Sequence, residues 1–107
     1  MAPYLGEFEY AVMLAVLRLA DEAYAVPIRQ LIETRTGRAI ARGALYTALE
    51  RLEGKGCLRS TMKHAEAPRA GRSRLYFTLT PSGVAALRAT HVALQRMASG
   101  LETILEH

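Results

Sequence analysis

The segment GALYTALERLEGKG, residues 43–56, decides the fold of this chain. Leu45, Leu49 and Leu52 recur at intervals of four and three residues, which is the spacing of side chains along one face of an α-helix. The other face carries small and polar side chains, and a glycine ends the segment, as it ends many helices. We therefore predict a helix over residues 42–55 that buries its leucines and leaves the opposite face free to contact a partner.

Two more helices are predicted upstream of this segment. Residues 5–20 carry a wide apolar stripe with acidic side chains in the first turn, where the helix dipole favours negative charge. Pro27 suits the first turn of a second helix, which runs to about Thr36 and stops at Gly37. A short turn joins this second helix to the helix at 42–55, so the pair predicts a helix-turn-helix.

The pattern changes to that of β-strands after the third helix. Residues 57–63 and 74–79 alternate apolar with polar side chains, which predicts two half-buried strands. The connecting segment, residues 64–73, is longer than the roughly two to five residues of an ordinary hairpin turn and carries arginines. We therefore predict a projecting basic loop between the two strands. The two strands and this loop are together called the wing.

The last segment has the most regular pattern in the chain. Thr80 suits the N-cap of a helix and Pro81 its first position. Side chains spaced alternately three and four residues apart then form one stripe, here called the seam. They are Val84, Leu87, His91, Leu94, Ala98, Leu101 and Leu105. This repeat is typical of a coiled coil. We therefore predict one terminal helix over 81–107 that packs with residues 5–20 and joins two subunits.

The predicted fold is mostly α with a small β-hairpin, an α+β class. It consists of a winged helix-turn-helix over residues 1–80 and a long C-terminal dimerisation helix over residues 81–107. The 107 residues, half of them hydrophobic and 22% charged, are enough for one modest core. A single cysteine excludes an internal disulfide, and no apolar stretch is long enough to cross a bilayer, so we expect a soluble cytoplasmic protein without a membrane partner.

Positive charge is concentrated in the middle of the chain and predicts a polyanionic partner. Ten of the fourteen basic residues lie between residues 35 and 74, against three acidic ones. Small side chains near the start of the third helix let its backbone approach the major groove, and the arginines suit phosphates or the minor groove. The predicted DNA contacts are Arg35, Arg38, Arg42, Gly43, Ala44, Tyr46, Thr47, Arg51, Arg69, Arg72 and Arg74.

The predicted dimer interface combines the first helix with the terminal seam. Its side chains are Leu5, Phe8, Val12, Leu87, His91, Leu94, Ala98, Leu101 and Leu105.

Two stretches, LYTALERLEGKGCL (45–58) and GRSRLYFTLTPSG (71–83), resemble the PadR family of bacterial transcriptional regulators, and residues 5–38 resemble the N-terminal part of that family. The resemblance implies a homodimer, formed through the first and last helices, that binds a pseudo-palindromic operator in double-stranded DNA and represses transcription. It also implies a small-molecule effector that binds near the dimer interface. On the family pattern, Arg42, Gly43, Ala44, Tyr46 and Thr47 fall on the recognition helix, and Arg72 and Arg74 fall on the wing.

The chain departs from the family pattern just before the recognition helix. Relatives often show Ser-Pro-Gly-Ser where this chain has Ala-Arg-Gly-Ala at residues 41–44. The usual N-cap hydroxyl is therefore missing, at a cost of roughly 1 kcal/mol. The chain also has no tryptophan, so a ligand site built on paired tryptophans does not transfer.

Two other classes of function are alternatives to DNA binding. An enzyme is disfavoured because the three histidines and the cysteine are scattered, so we predict no catalytic residues, no metal site and no cofactor. The stronger rival is a winged-helix module that binds another protein and never contacts specific DNA.

Overall fold

The computed structural model describes residues 5–64 and 73–106. The first helix, α1 (Glu7–Leu19), forms where the apolar stripe predicted a helix. It buries Val12, Met13 and Val16 at the centre of the core. A single 3₁₀ turn, Ala20–Glu22, follows it. The next two helices of the chain and the wing are arranged around α1 and contact it.

The helix-turn-helix is formed by α2 (Ala25–Thr36) and α3 (Arg42–Gly54). Gly37 ends α2 in the left-handed conformation, with φ of 73°, as a glycine C-cap requires. The leucines at 45, 49 and 52 are all at least 99% buried, so the face predicted to pack against the other helices does so.

The wing is a two-stranded antiparallel sheet of β1 (Leu58–His64) and β2 (Ser73–Leu79). Leu58 lies opposite Leu79 and Ser60 opposite Phe77, so the strands are paired along their whole length. The other edge of β2 is bonded to the segment before α2, because the Phe77 amide donates to the Ala23 carbonyl at 2.8 Å. Strand β2 therefore has partners on both edges at its inner end.

Helix α4 (Pro81–Ala98) begins as its sequence predicted. The Thr80 hydroxyl accepts a hydrogen bond from the Gly83 amide at 2.9 Å. Helix α4 packs on α1, and the Leu5 amide donates to the Thr90 hydroxyl at 2.9 Å in a buried position. These contacts tie the start of the described chain and the first part of α4 into one core.

The prediction of one continuous helix through residue 107 is wrong beyond Ala98. Helix α4 ends there, Gly100 takes a φ of 91°, and a separate single turn, α5 (Glu102–Leu105), follows. A left-handed glycine cannot continue an α-helix, so the seam is interrupted and Leu101 lies outside α4. Within the described part of the chain, no helix has the length and apolar character to span a bilayer.

Three residues of the predicted dimer interface belong to the core of a single chain. Leu5, Val12 and Leu87 are 8%, 0% and 7% exposed. Their side chains are covered by the chain's own helices and offer no surface to a second subunit. The seam pattern could not separate these residues from surface ones, because core and interface both require apolar side chains at helical spacing.

Candidate nucleic-acid interface

The outward face of α3 is open and carries small side chains. Gly43, Ala44 and Thr47 are exposed on this helix, opposite its buried leucines. No atom lies within 4 Å of the position that a Cβ on Gly43 would take, so nothing covers the start of the helix. An open helix face of this kind can enter a groove of DNA, where the first residues of a recognition helix contact base edges.

The turn before α3 is fixed by a carboxylate of α2. Glu33 Oε2 accepts a hydrogen bond from the Ile40 amide at 2.7 Å and lies 3.5 Å from Nε of Arg29. The hydrogen bond from the Ile40 amide has the largest effect on the pKa of Glu33. Together with the Arg29 charge, it outweighs burial, which raises the pKa, and lowers the pKa below its ordinary value. By contrast, Ala41 caps α3 without a side-chain hydrogen bond, as its sequence predicted. The turn before α3 is therefore held by Glu33 rather than by an N-cap side chain.

One flank of α3 faces the start of α2 and carries basic and polar side chains. Arg42 and Tyr46 line a groove there together with Arg29 and Gln30. Tyr46 is 47% exposed, so its ring is available to a partner rather than buried in the core. The sequence did not single out Arg29 or Gln30, although both lie one turn inside a helix predicted to pack beside α3.

The other flank faces the start of α1 and is lined with acidic residues. Arg38 Nη1 lies 3.4 Å from Glu7 Oε1, and Lys55 Nζ lies 3.0 Å from both carboxylate oxygens of Glu9. Arg51 lines the same groove as Glu7 and Glu9. Arg38 and Lys55 on this flank are therefore paired with carboxylates of α1.

Glu9 is the buried member of this acidic group. Burial raises the pKa of its carboxyl, but hydrogen bonds from Lys55 and from the Gly6 amide, with the charges of Lys55 and Arg51, outweigh burial and lower the pKa overall. Glu9 is therefore a charged structural group that fixes the N-terminus of α1 against α3.

Two cations at the outer end of the paired wing strands lie on two tyrosine rings. Arg74 Cζ lies 4.5 Å from the centroid of the Tyr24 ring, and Lys63 Nζ lies 4.4 Å from the centroid of the Tyr76 ring. The two rings are 5.2 Å apart at an interplanar angle of 56°. Arg74 is one of the predicted DNA contacts, whereas Lys63 contributes to the basic middle of the chain but is not among those contacts.

The remaining predicted DNA contacts are not brought to this surface by the described structure. Arg35 lines a groove between α1 and α2, beside Arg18 and Leu14, away from the outward face of α3. Arg69 and Arg72 lie outside the described residues. The described residues contain no group of three or more acidic, histidine or cysteine side chains placed to hold a metal ion.

Comparison with known proteins agrees with this geometry. A family model described as the transcriptional regulator PadR-like family matches residues 13–89. No curated protein sequence matches the chain.

Several solved structures share the fold. A PadR family transcriptional regulator from Eggerthella lenta is 27% identical, with a TM-score of 0.67 over 89% of this chain and 80% of its own. A PadR-like transcription factor from Bacteroides fragilis is 26% identical, with a TM-score of 0.66 over 91% and 88%. A PadR-like regulator from Bacillus cereus, at 16% identity, has a TM-score of 0.74 over 94% and 92%, and so supports the fold alone.

The family model matches most of the chain, and the winged helix-turn-helix fold agrees with it. This chain therefore belongs to the PadR-like family of transcriptional regulators.

Proposed function

We propose that the chain is a homodimeric, sequence-specific repressor of transcription that acts in the cytoplasm and binds a pseudo-palindromic operator in double-stranded DNA. The observation that carries this proposal is the uncovered start of α3, where Gly43 and Thr47 are exposed beside Arg42. Small side chains let the helix backbone approach base edges, and the adjacent guanidinium suits a phosphate.

The operator can be sought by selecting bound genomic fragments at near-physiological salt. The selected duplex should be bound at least about 1,000-fold more tightly than a duplex of mixed sequence, which is the lower range for specific regulators. Equal affinity for the two duplexes at every salt concentration would exclude sequence-specific regulation.

A matched pair of glycine variants tests whether the start of α3 reads the bases. Gly43 and Gly54 lie at opposite ends of α3, and neither has an atom within 4 Å of its Cβ position, so a leucine fits at both without disturbing the core. Gly43→Leu should lower affinity for the selected duplex at least about 10-fold, because the first residues of a recognition helix contact the bases. Gly54→Leu should change it much less. Equal losses would contradict the proposed docking of α3.

The rival function, a winged-helix module that binds only proteins, predicts a different response to salt. A DNA-binding chain releases counterions from phosphates, so its affinity falls steeply as salt rises. A module that binds only proteins would show no measurable affinity for duplex DNA near physiological salt.

The homodimer is supported by apolar side chains exposed near the end of the chain. Leu94 and Met97 on α4 are 53% and 79% exposed, and Ile104 on α5 is 74% exposed. A cluster of large apolar side chains in water marks an interaction surface. The expected interface therefore uses the C-terminal part of the predicted seam, with Leu94, Ala98, Leu101 and Leu105, and adds Met97 and Ile104 to it.

Light scattering tests the dimer. Leu94→Glu and Leu101→Glu should each convert a dimeric wild type into monomers, because a carboxylate buried at the interface would lose its water. The matched variant Leu94→Met keeps an apolar side chain and should stay dimeric. A wild-type mass equal to one chain would overturn the dimer.

The proposal also includes a small apolar effector that loosens DNA binding. A groove of about 360 Å³ lies between α1, α2 and the turn before α3, lined mainly by apolar residues such as Phe8, Ile32 and Ile40. The groove also borders Ala44 on α3, so its occupant would act on the recognition helix. Compounds that raise the Kd for the selected duplex in the wild type, and lose that effect in Ile40→Trp, would identify this groove as the effector site.

A further inference from the structure

We propose that two tyrosines beside the outer end of the wing strands position a pair of cations that bind the DNA backbone. The cations are Lys63 on β1 and Arg74 on β2, and the tyrosines are Tyr24, just before α2, and Tyr76 on β2. The proposal rests on the proposed DNA-binding function and deepens it, because it names the phosphate-binding part of the wing and the residues that orient it.

The strand register places two like charges side by side. Lys63 lies directly opposite Arg74 in the antiparallel ladder, and like charges at opposed positions destabilise a hairpin. None of the ion pairs among the described residues involves either side chain. Among the described residues these two adjacent cations therefore share no direct ion pair, although a hydrogen bond to Tyr76 and the negative charge of Glu22 act on Arg74 and raise its pKa. A phosphate beside the two cations would replace their mutual repulsion by attraction.

The tyrosine rings hold each cation in a defined place. Each charged group lies within 4.5 Å of a ring centroid, a distance at which the electron-rich face of the ring attracts it. The N–H groups that point away from the ring remain able to donate to a phosphate oxygen. The rings thus fix the cations without using all of their hydrogen-bond donors.

The tyrosine pair is itself anchored to the sheet. Tyr24 packs on Tyr76 with the ring centroids 5.2 Å apart. The neighbouring residue, Ala23, accepts the hydrogen bond from the Phe77 amide, so the chain before α2 is bonded to the edge of β2. Long basic side chains lose rotamer freedom when they bind, and a prior position on a rigid ring reduces that loss. Tyr24 and Tyr76 are therefore positioning residues rather than DNA contacts.

Salt titrations on a duplex of mixed sequence test the two cations. Lys63→Ala and Arg74→Ala should each reduce the slope of log affinity against log salt by about 1, as expected for the loss of one phosphate contact. Arg96→Ala, which removes an exposed arginine near the end of α4, is the matched control and should leave the slope unchanged. Unchanged slopes in Lys63→Ala and Arg74→Ala would overturn the phosphate-binding pair.

A double-mutant cycle tests the positioning role. Tyr24→Leu keeps all charges but removes the ring beneath Arg74, and should weaken duplex binding about 2- to 5-fold, the range for an exposed cation–π contact. Tyr24→Phe keeps the ring and should bind like the wild type. In the Arg74→Ala background, Tyr24→Leu should have no further effect on binding. The positioning role would be overturned if Tyr24→Leu weakened duplex binding as much in the Arg74→Ala background as in the wild type. An equal loss of duplex binding in Tyr24→Phe and Tyr24→Leu would overturn it as well.

The same titrations separate this proposal from the proposed function. A wild type that prefers its selected duplex, with slopes unchanged in both cation variants, would refute the wing pair and leave the regulator intact. A wild type without sequence preference, whose slope still falls in the variants, would refute the regulator and leave the phosphate-binding pair intact. Absence of duplex binding at low salt would refute both.

Discussion

Lys55 Nζ, just beyond the end of α3, lies 3.0 Å from both carboxylate oxygens of Glu9 in the first turn of α1. The side chain of Glu9 is only 10% exposed, so the carboxylate depends on Lys55 for hydrogen bonds that water would otherwise supply. This ion pair fixes the start of α1 against the end of the recognition helix. Lys55 is therefore a structural cation, although it lies beside a surface expected to bind DNA.

Removal of Lys55 should affect stability more than DNA binding. Lys55→Ala leaves a largely buried carboxylate without its partner, so the free energy of unfolding should fall by about 1–3 kcal/mol in urea denaturation. The salt dependence of duplex binding should stay close to that of the wild type. Lys63→Ala is the contrasting variant, with nearly unchanged stability and a reduced salt dependence. Unchanged stability and a reduced salt dependence in Lys55→Ala would instead show that Lys55 contacts phosphate.

The stability of the fold should fall on acidification, in part through Glu9. The folded-state pKa of Glu9 lies below its ordinary value of 4.5, so the unfolded chain binds its proton at a higher pH than the folded chain does. The stabilisation by Glu9 is therefore complete above pH 4.5 and is lost as the pH falls through the folded-state pKa. Urea denaturation at a series of pH values should show a weaker pH dependence in Glu9→Gln. Parallel curves for the wild type and this variant would contradict the lowered pKa.

Most element boundaries were predictable because local side chains set them. Gly37 ends α2 with a left-handed φ, and the Thr80 hydroxyl caps α4. The open face of α3 was equally visible, since Leu45 and Leu49 assign the opposite face to the core. Each of these features depends on residues within one or two turns of each other.

The features missed by sequence patterns depend on distant residues. The Arg38–Glu7 pair joins positions 31 residues apart and the Lys55–Glu9 pair joins positions 46 apart, so charge counting could not reveal either pairing. Likewise, Val12 fits an interface pattern, and only the packing of the other helices shows that it is buried.

A better N-cap on the recognition helix should stabilise the fold. Ala41 has the extended backbone of an N-cap residue but no side-chain hydrogen bond. Ala41→Ser supplies a hydroxyl that can accept from a free amide of the first turn, and should raise the free energy of unfolding by about 1 kcal/mol. Ala39→Ser, two residues earlier and also exposed, is the matched control and should have little effect. Equal stabilisation by both variants would indicate a cause other than capping.

Position 83, in the first turn of α4, has room only for a glycine. A Cβ at this position would lie 2.0 Å from the Cys57 carbonyl oxygen, a backbone atom that already accepts the Thr80 amide at 3.1 Å. Gly83→Ala must therefore push the start of α4 away from the strand beneath it, and should lower the free energy of unfolding by about 3 kcal/mol.

Gly43→Ala is the matched control for Gly83→Ala, because both replace a glycine within the first turn of a helix. The Cβ of Gly43→Ala would meet no atom within 4 Å, and alanine restricts the unfolded chain more than glycine does. Gly43→Ala should therefore leave stability unchanged or raise it by up to about 1 kcal/mol. Similar effects of the two substitutions in thermal and urea denaturation would mean that the backbone contact between Gly83 and Cys57 does not exclude a side chain.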